Sequence, residues 1–409
     1  MMPAMKILIA DTFEQIGCDE LARIGCNTVL EPGLGAADLP GALKSHDPDV
    51  LVVRSTKVTA DAIAAAGKLK LIIRAGAGYD TIDVATASKE GIFVANCPGK
   101  NAIAVAELAW ALILACDRRV PDQTRDLRAG EWNKKEYGKA AGLYGRTLGI
   151  LGLGTIAQHV VTRARAFGMN VVVWSRSLDD ERAAELGVRR AATPIDVARA
   201  SDVVSVHVAS TPDTKHLIDA AFIDAMKPGA YLINTSRGSV VDEAAVKRGI
   251  AEKGIRAGLD VYDGEPAAAK APFENPIVNE PGVYGTHHVG ASTDQAQQAI
   301  ALEAVRIVRT YRDGGEVLHC VNRAEKSPAT CTLTVRHRNR PGVLATVFQV
   351  LSEARINVEE MENIIYDGAA AACAVIQLDS PPAAESLQAI RAQCSDILSL
   401  ELTSIEAGA

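Results

Sequence analysis

"RTLGILGLGTIAQHVVTRARAFGMNVVVWSRS", residues 146–177, is an apolar strand that runs through Gly152 and Gly154 into a helix and on to a second apolar strand. A lone glycine pair says little, and a bare strand–helix turn without a ligand competes with any richer reading. The context decides it, because the second strand ends about where the ribose-reading residue of a dinucleotide site falls. Gly152 permits the tight turn, and Gly154 lets the backbone approach a pyrophosphate at the helix N-terminus, which opens on Thr155 and Ile156. The third fingerprint position holds Ala157, which the pattern tolerates. A Rossmann-like, doubly wound domain is expected here.

The ribose position is unusual. An NAD site commonly ends its second strand on Asp or Glu, whereas this chain has Ser175 with Arg176 beside it. A hydroxyl next to a guanidinium suits a 2′-phosphate, so the cofactor is read as NAD or NADP, leaning towards acceptance of NADP. The alternative is a surface arginine beside a site that still prefers NAD. Asp179 and Asp180 are expected to be solvated.

Outward from this stretch, strand-like and helix-like segments alternate. "KILIA", "NTVLE", "DVLVVRS" and "LKLIIR" precede it, and "DVVSVHV", "AYLINTSRG" and "IRAGLDVY" follow it. Such alternation predicts βαβ units and parallel sheets. "RAGAGYD" (74–80) falls just after a strand, where open α/β sheets bind ligands. "AIAVAELAWALILACDRRV" (102–120) reads as a helix apolar on most of its surface, suited to crossing between domains or packing in a dimer. After the polar linker "NRAEKSP" the pattern changes to a compact tail of strand, loop, helix and strand.

The 409 residues call for two or three domains. A net charge of −7 argues against nucleic acid or an anionic membrane as partner. No run approaches the length of a membrane span and no signal peptide is read, so a cytoplasmic location is expected. The eight cysteines are scattered, with no C-x-x-C pair, which predicts neither a disulfide framework nor a metal site.

Three polar residues lie at or just after the later strand ends. They are Arg237 in "INTSRGSVVDE", Glu265 in "LDVYDGEP" and one of the paired histidines in "YGTHHVGAST". On an extended chain, neighbouring side chains point to opposite faces, so His287 and His288 are expected to differ in role.

These motifs, N-T-x-R-G, D-V-x-x-x-E-P and T-x-H-x-G in that order, resemble those of the D-isomer-specific 2-hydroxyacid dehydrogenase family, and the resemblance covers almost the entire chain. It implies that His288 is the acid–base, with His287 where the family has proline. Glu265 would hold the far imidazole nitrogen, and Arg237 would pair with the substrate carboxylate. It further implies cofactor contacts at His207, Thr235, Ser236, Asp260 and Gly290. The backbone of Ala75, Gly76 and Ala77 would hold the substrate carboxylate, with Arg54 and Ser55 nearby. Arg54, Lys57 and Lys134 are the candidates for a substrate phosphate, although Lys134-Lys135-Glu136 departs from the Arg-Lys-Lys of the phosphoglycerate-oxidising branch.

The tail "VRHRNRPGVLATVFQVLSEARINVEEM" resembles an ACT domain, a ββαββα-type α+β regulatory module. It points within the family to the branch that oxidises 3-phospho-D-glycerate, with L-serine as effector at His337, Asn339 and Asn357. The expected organisation is a substrate domain at 1–98 and 290–325, a dinucleotide domain at 99–289 and the ACT tail at 327–409, in a homodimer or homotetramer. Rival readings are a glyoxylate/hydroxypyruvate reductase of the same fold and, from another class, a cofactor-sensing corepressor-like protein.

Overall fold

The computed structural model describes residues 4–266, 270–324 and 327–405. The chain forms two compact units, Met1–Asn322 and Arg323–Ala409. The first unit contains two parallel sheets.

Strands β1 (Lys6–Ile9), β2 (Asn27–Leu30), β3 (Val50–Val53), β4 (Leu71–Arg74) and β5 (Phe93–Asn96) lie in the order β2-β1-β3-β4-β5. Helices cover both faces, so consecutive strand residues are apolar and buried rather than alternating. Successive side chains enter opposite cores: Leu8, Leu51 and Ile72 pack on one face, Ile7, Val50 and Ile73 on the other. The strand order reverses between β1 and β3, which places a crevice at their C-terminal ends.

The helix Ala102–Arg118 then carries the chain to the second sheet, where Ala109, Ile113 and Cys116 join the core beneath Leu148 and Ile150. This sheet comprises β6 (Thr147–Leu151), β7 (Asn170–Trp174), β8 (Arg189–Arg190), β9 (Val203–Val206), β10 (Tyr231–Asn234), β11 (Arg256–Leu259) and β12 (Val283–Gly285). Their order is β12-β11-β10-β9-β6-β7-β8, so the reversal falls between β6 and β9. The helix Asp294–Gly314 returns to the first sheet and buries Ile300, Ala304 and Val308 with Ile7 and Ile9. Both crossings meet at Glu303, which is 4% exposed and bonds Lys100 at 3.0 Å and His319 at 2.9 Å, with Arg306 alongside. Burial alone would raise its pKa, but these three partners hold it down at about 2.

The second unit is an antiparallel sheet of β13 (Cys331–Arg338), β14 (Val358–Ile365), β15 (Ala371–Leu378) and β16 (Ile397–Ser404), ordered β14-β15-β13-β16. Helices Val343–Glu353 and Ala384–Gln393 cover one face through Val347, Val350, Leu351 and Ile390. The element order is βαββαβ, which corrects the expected ββαββα. A single strand precedes the first helix, because Asn339-Arg340-Pro341-Gly342 turns the chain directly into it, with Gly342 at φ +92°. Among the described residues no helix is long and apolar enough to cross a membrane, and no cluster of His, Cys, Asp and Glu is poised to hold a metal. All eight cysteines are free.

Candidate active site

A cavity of about 570 Å³ lies between the two parallel sheets of the first unit, at the C-terminal ends of their strands. Its walls include Arg74, Ala77 and Asp80 from one sheet, and Ile156, His207, Thr235, Arg237, Asp260 and His288 from the other.

The turn after β6 forms its dinucleotide side. Gly152 has φ +86°, and a Cβ there would meet the His207 carbonyl oxygen at 2.6 Å, so the turn between β6 and β9 admits no side chain. Gly154 differs. Its φ is −79° and a Cβ would meet no protein atom within 4 Å, so the protein itself does not require glycine there. The helix Thr155–Ala166 starts immediately after it and points its free N–H groups into this space. Two buried oxygens lining the cavity, Asn101 Oδ1 and Thr235 Oγ1, have no hydrogen-bond partner among the described residues. A glycine cradle, a helix N-terminus and two orphaned polar atoms fit a nicotinamide dinucleotide.

His207 is partly buried, and burial pushes its pKa down to about 4, so it is neutral at pH 7 with Nε2 2.8 Å from Ser205 Oγ. Ser175 follows β7, and Arg176 Nη1 lies 3.9 Å from Asp213 Oδ2, with both side chains exposed. Asp213 is a carboxylate that the sequence alone does not place beside the ribose position. Asp179 caps the helix Asp180–Glu185 by accepting from the Arg182 N–H.

On the reaction side, His288 Nδ1 is 2.6 Å from Glu265 Oε1. With Nδ1–H donating to the carboxylate, the lone pair of Nε2 is left for the cavity. The paired histidines do not lie on an extended strand, which corrects the opposite-faces argument. His288 has φ +52°, a left-handed conformation that costs a branched or ring-bearing residue about 1–3 kcal/mol and must be held by its surroundings. Asp260, 1% exposed, holds it. Its carboxylate accepts from Thr286 Oγ1 at 2.6 Å and from the Val289 and Gly290 N–H groups at 2.9 Å, while its carbonyl accepts from His288 N–H at 2.8 Å. Asp260, Ser236 and Gly290 thus line the cavity, and Asp260 is bonded chiefly to the loop that carries His288. His287 is exposed and borders a second cavity behind the Glu265–His288 pair.

Arg237 follows β10. Its Nε and Nη2 form a fork on Asp80 at 3.2 and 3.0 Å, and Nη1 donates to Ser236 O. Burial would raise the Asp80 pKa, but Arg237's hydrogen bonds and charge carry it below the ordinary value. Asp80 therefore holds the arginine in the geometry a substrate carboxylate would use. It ends the quoted loop "RAGAGYD", and nothing in the sequence singles it out.

The remaining predicted residues separate into groups. Ala75 N–H is bonded to Val53 O and Gly76 N–H to Arg74 O, so of the three N–H groups expected to hold a carboxylate only that of Ala77 makes no such bond among the described residues. The Asn96 side chain fixes Ala77 O at 2.6 Å. At the β1/β3 crevice, Asp11 accepts from the N–H groups of Arg54, Ser55 and Thr56, and from Ser55 Oγ at 2.7 Å. Ser55's hydroxyl is thereby committed, while Arg54 reaches across to Ser292 Oγ at 3.3 Å. Lys134 is not brought to this cavity. It lines a separate one with Trp132, Asp126 and Tyr137.

In the tail, His337 is buried and pairs with Ala372 of β15, whereas Asn357 precedes Val358, which pairs with Leu378. Six residues of extended strand, about 20 Å, separate those registers. His337 and Asn339 lie at one end of the sheet and Asn357 at the other, so one chain does not bring the three together.

Residues 110–290 match the D-isomer specific 2-hydroxyacid dehydrogenase NAD binding domain, and residues 332–362 match the ACT domain. A hydroxypyruvate reductase of Thermotoga maritima is 42% identical over 260 residues, which are 63% of this chain and 82% of that enzyme. The chain belongs to the D-isomer specific 2-hydroxyacid dehydrogenase family. A D-3-phosphoglycerate dehydrogenase of Methanocaldococcus jannaschii is 42% identical over 297 residues, covering 72% of this chain. The chain spans only 55% of that relative's length. Among solved structures, an NADPH-dependent glyoxylate/hydroxypyruvate reductase from Sinorhizobium meliloti, in complex with NADP and malonate, is similar with a TM-score of 0.68. It is 28% identical and covers 78% of this chain and 97% of its own. Within this family the glycine turn after β6 belongs to the NAD-binding domain.

Proposed function

We propose that the protein oxidises 3-phospho-D-glycerate to 3-phosphohydroxypyruvate with NAD or NADP, the entry step to L-serine. The observation that carries this reading is the Glu265–His288 hydrogen bond at 2.6 Å, in one cavity with the Arg237 fork and the glycine cradle. Arg237 exchanges Asp80 for the substrate carboxylate. That holds the C2 hydroxyl towards His288 Nε2, which takes its proton while Glu265 steadies the imidazolium that forms. The bound nicotinamide supplies the hydride acceptor. The eight free cysteines support a reducing compartment, the cytoplasm.

Initial rates with 3-phospho-D-glycerate, D-glycerate and D-lactate, each with NAD and with NADP, test the reading. A strong preference for the phosphorylated acid supports it. Preferred reduction of glyoxylate or hydroxypyruvate favours the second reading, to which the name of the Thermotoga relative and Arg176 point. No turnover of any 2-hydroxy or 2-oxo acid leaves a corepressor-like role. In the same assay Arg176→Ala should weaken NADP selectively. Asp213→Asn should improve it, because the carboxylate 3.9 Å from Arg176 repels a 2′-phosphate. A wild-type enzyme with no NADP-linked rate, unchanged in Asp213→Asn, would remove the ribose reading.

We also propose that L-serine binds between the tails of two subunits. The separation of about 20 Å within one chain supports this, since only a second copy can bring its Asn357 to His337 and Asn339. Exposed Leu127 and Trp132 further support a homodimer or homotetramer. Asn357→Ala should then abolish inhibition while the uninhibited rate stays within about twofold, because the coupling passes through the assembly rather than the cleft. Calorimetry and rates at millimolar serine are the check. Absence of both heat and inhibition would leave the tail as an assembly module.

A further inference from the structure

The second cavity behind the Glu265–His288 pair, of about 610 Å³, has no use in the scheme above. Glu265 borders this cavity and not the cleft, whereas His288 lines both. Its size falls within the range of small-molecule sites.

The cavity is built into the fold. Tyr262 and Phe273 line it with ring centroids 5.2 Å apart and planes tilted by 60°, and both join the core on one face of the second sheet. The Tyr262 hydroxyl donates to Leu259 O at 3.0 Å, so this ring brings no free hydroxyl to an occupant. Glu243 secures the surrounding chain with both carboxylate oxygens. One accepts from Asp263 N–H at 2.9 Å, just before Glu265, and the other from Asn275 Nδ2 at 2.7 Å, just after Phe273. Asn275 in turn caps the turn Pro276–Asn279, which carries the lining residue Val278.

The polar lining is basic. Lys270 and His287 border the cavity, and neither side chain makes a hydrogen bond or ion pair among the described residues. Thr286 Oγ1 is committed to Asp260 and Glu265 Oε1 to His288. Tyr262 is buried and Phe273 half-buried, while Lys270 and His287 are exposed. The rings therefore lie at the inner end and the basic groups at the mouth. Aromatic surface within and an ammonium with an imidazole outside match one chemistry, an aromatic body that ends in a carboxylate.

We propose that this cavity binds an aromatic monocarboxylate, its ring on Tyr262 and Phe273 and its carboxylate at Lys270 and His287, and that the occupant slows the reaction from behind the acid–base pair. The side chains of His288 and Glu265 are 47% and 33% exposed. An apolar body against them displaces water that would solvate the imidazolium as it forms. It meets neither cofactor nor substrate, so kcat falls while both KM values hold. The rate effect rests on the dehydrogenase reading of the cleft, and the binding does not.

Calorimetry with indole-3-acetate, which has no 2-hydroxy or 2-oxo group to react, is the direct test. It is run on the complex with NADH and D-glycerate, so that Arg237 is taken, and heat should appear there. Indole-3-acetamide, without the charge, and acetate, without the ring, should each bind at least about tenfold more weakly. Lys270→Ala should weaken the acid about tenfold, and Val278→Trp, which fills the space, should abolish its binding. Unchanged NADH affinity shows that both variants are folded. In initial rates with the 2-hydroxy acid the enzyme prefers, saturating indole-3-acetate should lower kcat about fivefold, the low end of coupling between two sites. No heat, heat that D-glycerate abolishes, or equal heat in wild type and both variants overturns the proposal. So does competition with the 2-hydroxy acid or with NAD, or an unchanged kcat in an active enzyme. Binding that depends on Lys270, in a protein that turns over no 2-hydroxy acid, keeps the site and removes the dehydrogenase reading.

Discussion

His288→Ala is expected to lower kcat roughly 100-fold or more, the scale of losing a positioned acid–base group, while His287→Pro leaves it nearly unchanged. The asymmetry follows from what each residue touches. His288 alone of the pair lines the main cavity and bonds Glu265. His287 borders the space behind them, and its N–H makes no hydrogen bond among the described residues, so proline removes no donor the fold uses. Glu265→Gln should fall between the two, because an amide can still accept from Nδ1–H but brings no charge to the imidazolium. Rates and NADH affinities of the three variants decide it. A larger loss from His287→Pro than from His288→Ala would exchange their roles.

Why the paired histidines were half legible is instructive. Three polar residues after three successive parallel strands must emerge on one edge of the sheet, so grouping Arg237, Glu265 and a histidine needed only strand ends. The choice of His288 comes from the resemblance. Extended-chain alternation says only that the two histidines differ, and its premise fails here, since His288 takes a left-handed φ that Asp260 and its loop impose. That bond set spans about 30 residues, and no local pattern announces it. Asp11 and Asp80 were missed for the same reason. Asp11 follows β1 by two residues and Asp80 follows β4 by six, and the partner of each, the Arg54 loop or Arg237, is 43 or 157 residues away. The signal that could have found them is a carboxylate placed at a strand's C-terminal end in a sheet already expected to bind anions.

The tail shows the converse limit. Its helices and strands follow from apolar spacing, as β13 alternates buried and less buried positions along its length. Which end of the sheet each effector candidate occupies depends on pairing register, and sequence distance is a poor guide to that. His337 and Asn357 are close along the chain yet stand at opposite ends, because the helix Val343–Glu353 carries the chain back to the end where β13 began, and β14 then runs parallel to it. Lys134 is a similar case. Its short helix Lys134–Tyr137 follows a turn-rich segment whose course periodicity cannot set, and it lies beside Trp132 rather than in the cleft.

Gly238→Ala is expected to lower kcat/KM about 100-fold and to reduce Tm by several degrees, although it adds one methyl group and removes no functional atom. Gly238 follows Arg237 and opens the 3-10 turn Gly238–Val240. A Cβ there would overlap the backbone carbonyl of Tyr262 and meet Asp263 N at 2.5 Å. Neither contact is the far end of a flexible side chain, so the two backbones must separate by about 1 Å to reach an ordinary packing distance. One of them carries Arg237. The other continues through Asp263 and Gly264 to Glu265, the partner of His288. Separating them moves the carboxylate-binding fork relative to the acid–base pair, and a misplacement of about 1 Å costs on the order of 100-fold in a step that depends on orientation. Overpacking costs about 1–3 kcal/mol, which in a unit of this size is a Tm change of a few degrees. NADH affinity should change far less, because the turn at Gly152 and Gly154 lies on the β6 side of the sheet, away from this contact. Steady-state rates, a thermal melt and an NADH titration on the one variant separate the effects. An unchanged kcat/KM in Gly238→Ala would mean that the two loops are free to part, and that their close approach does not set the geometry of the site.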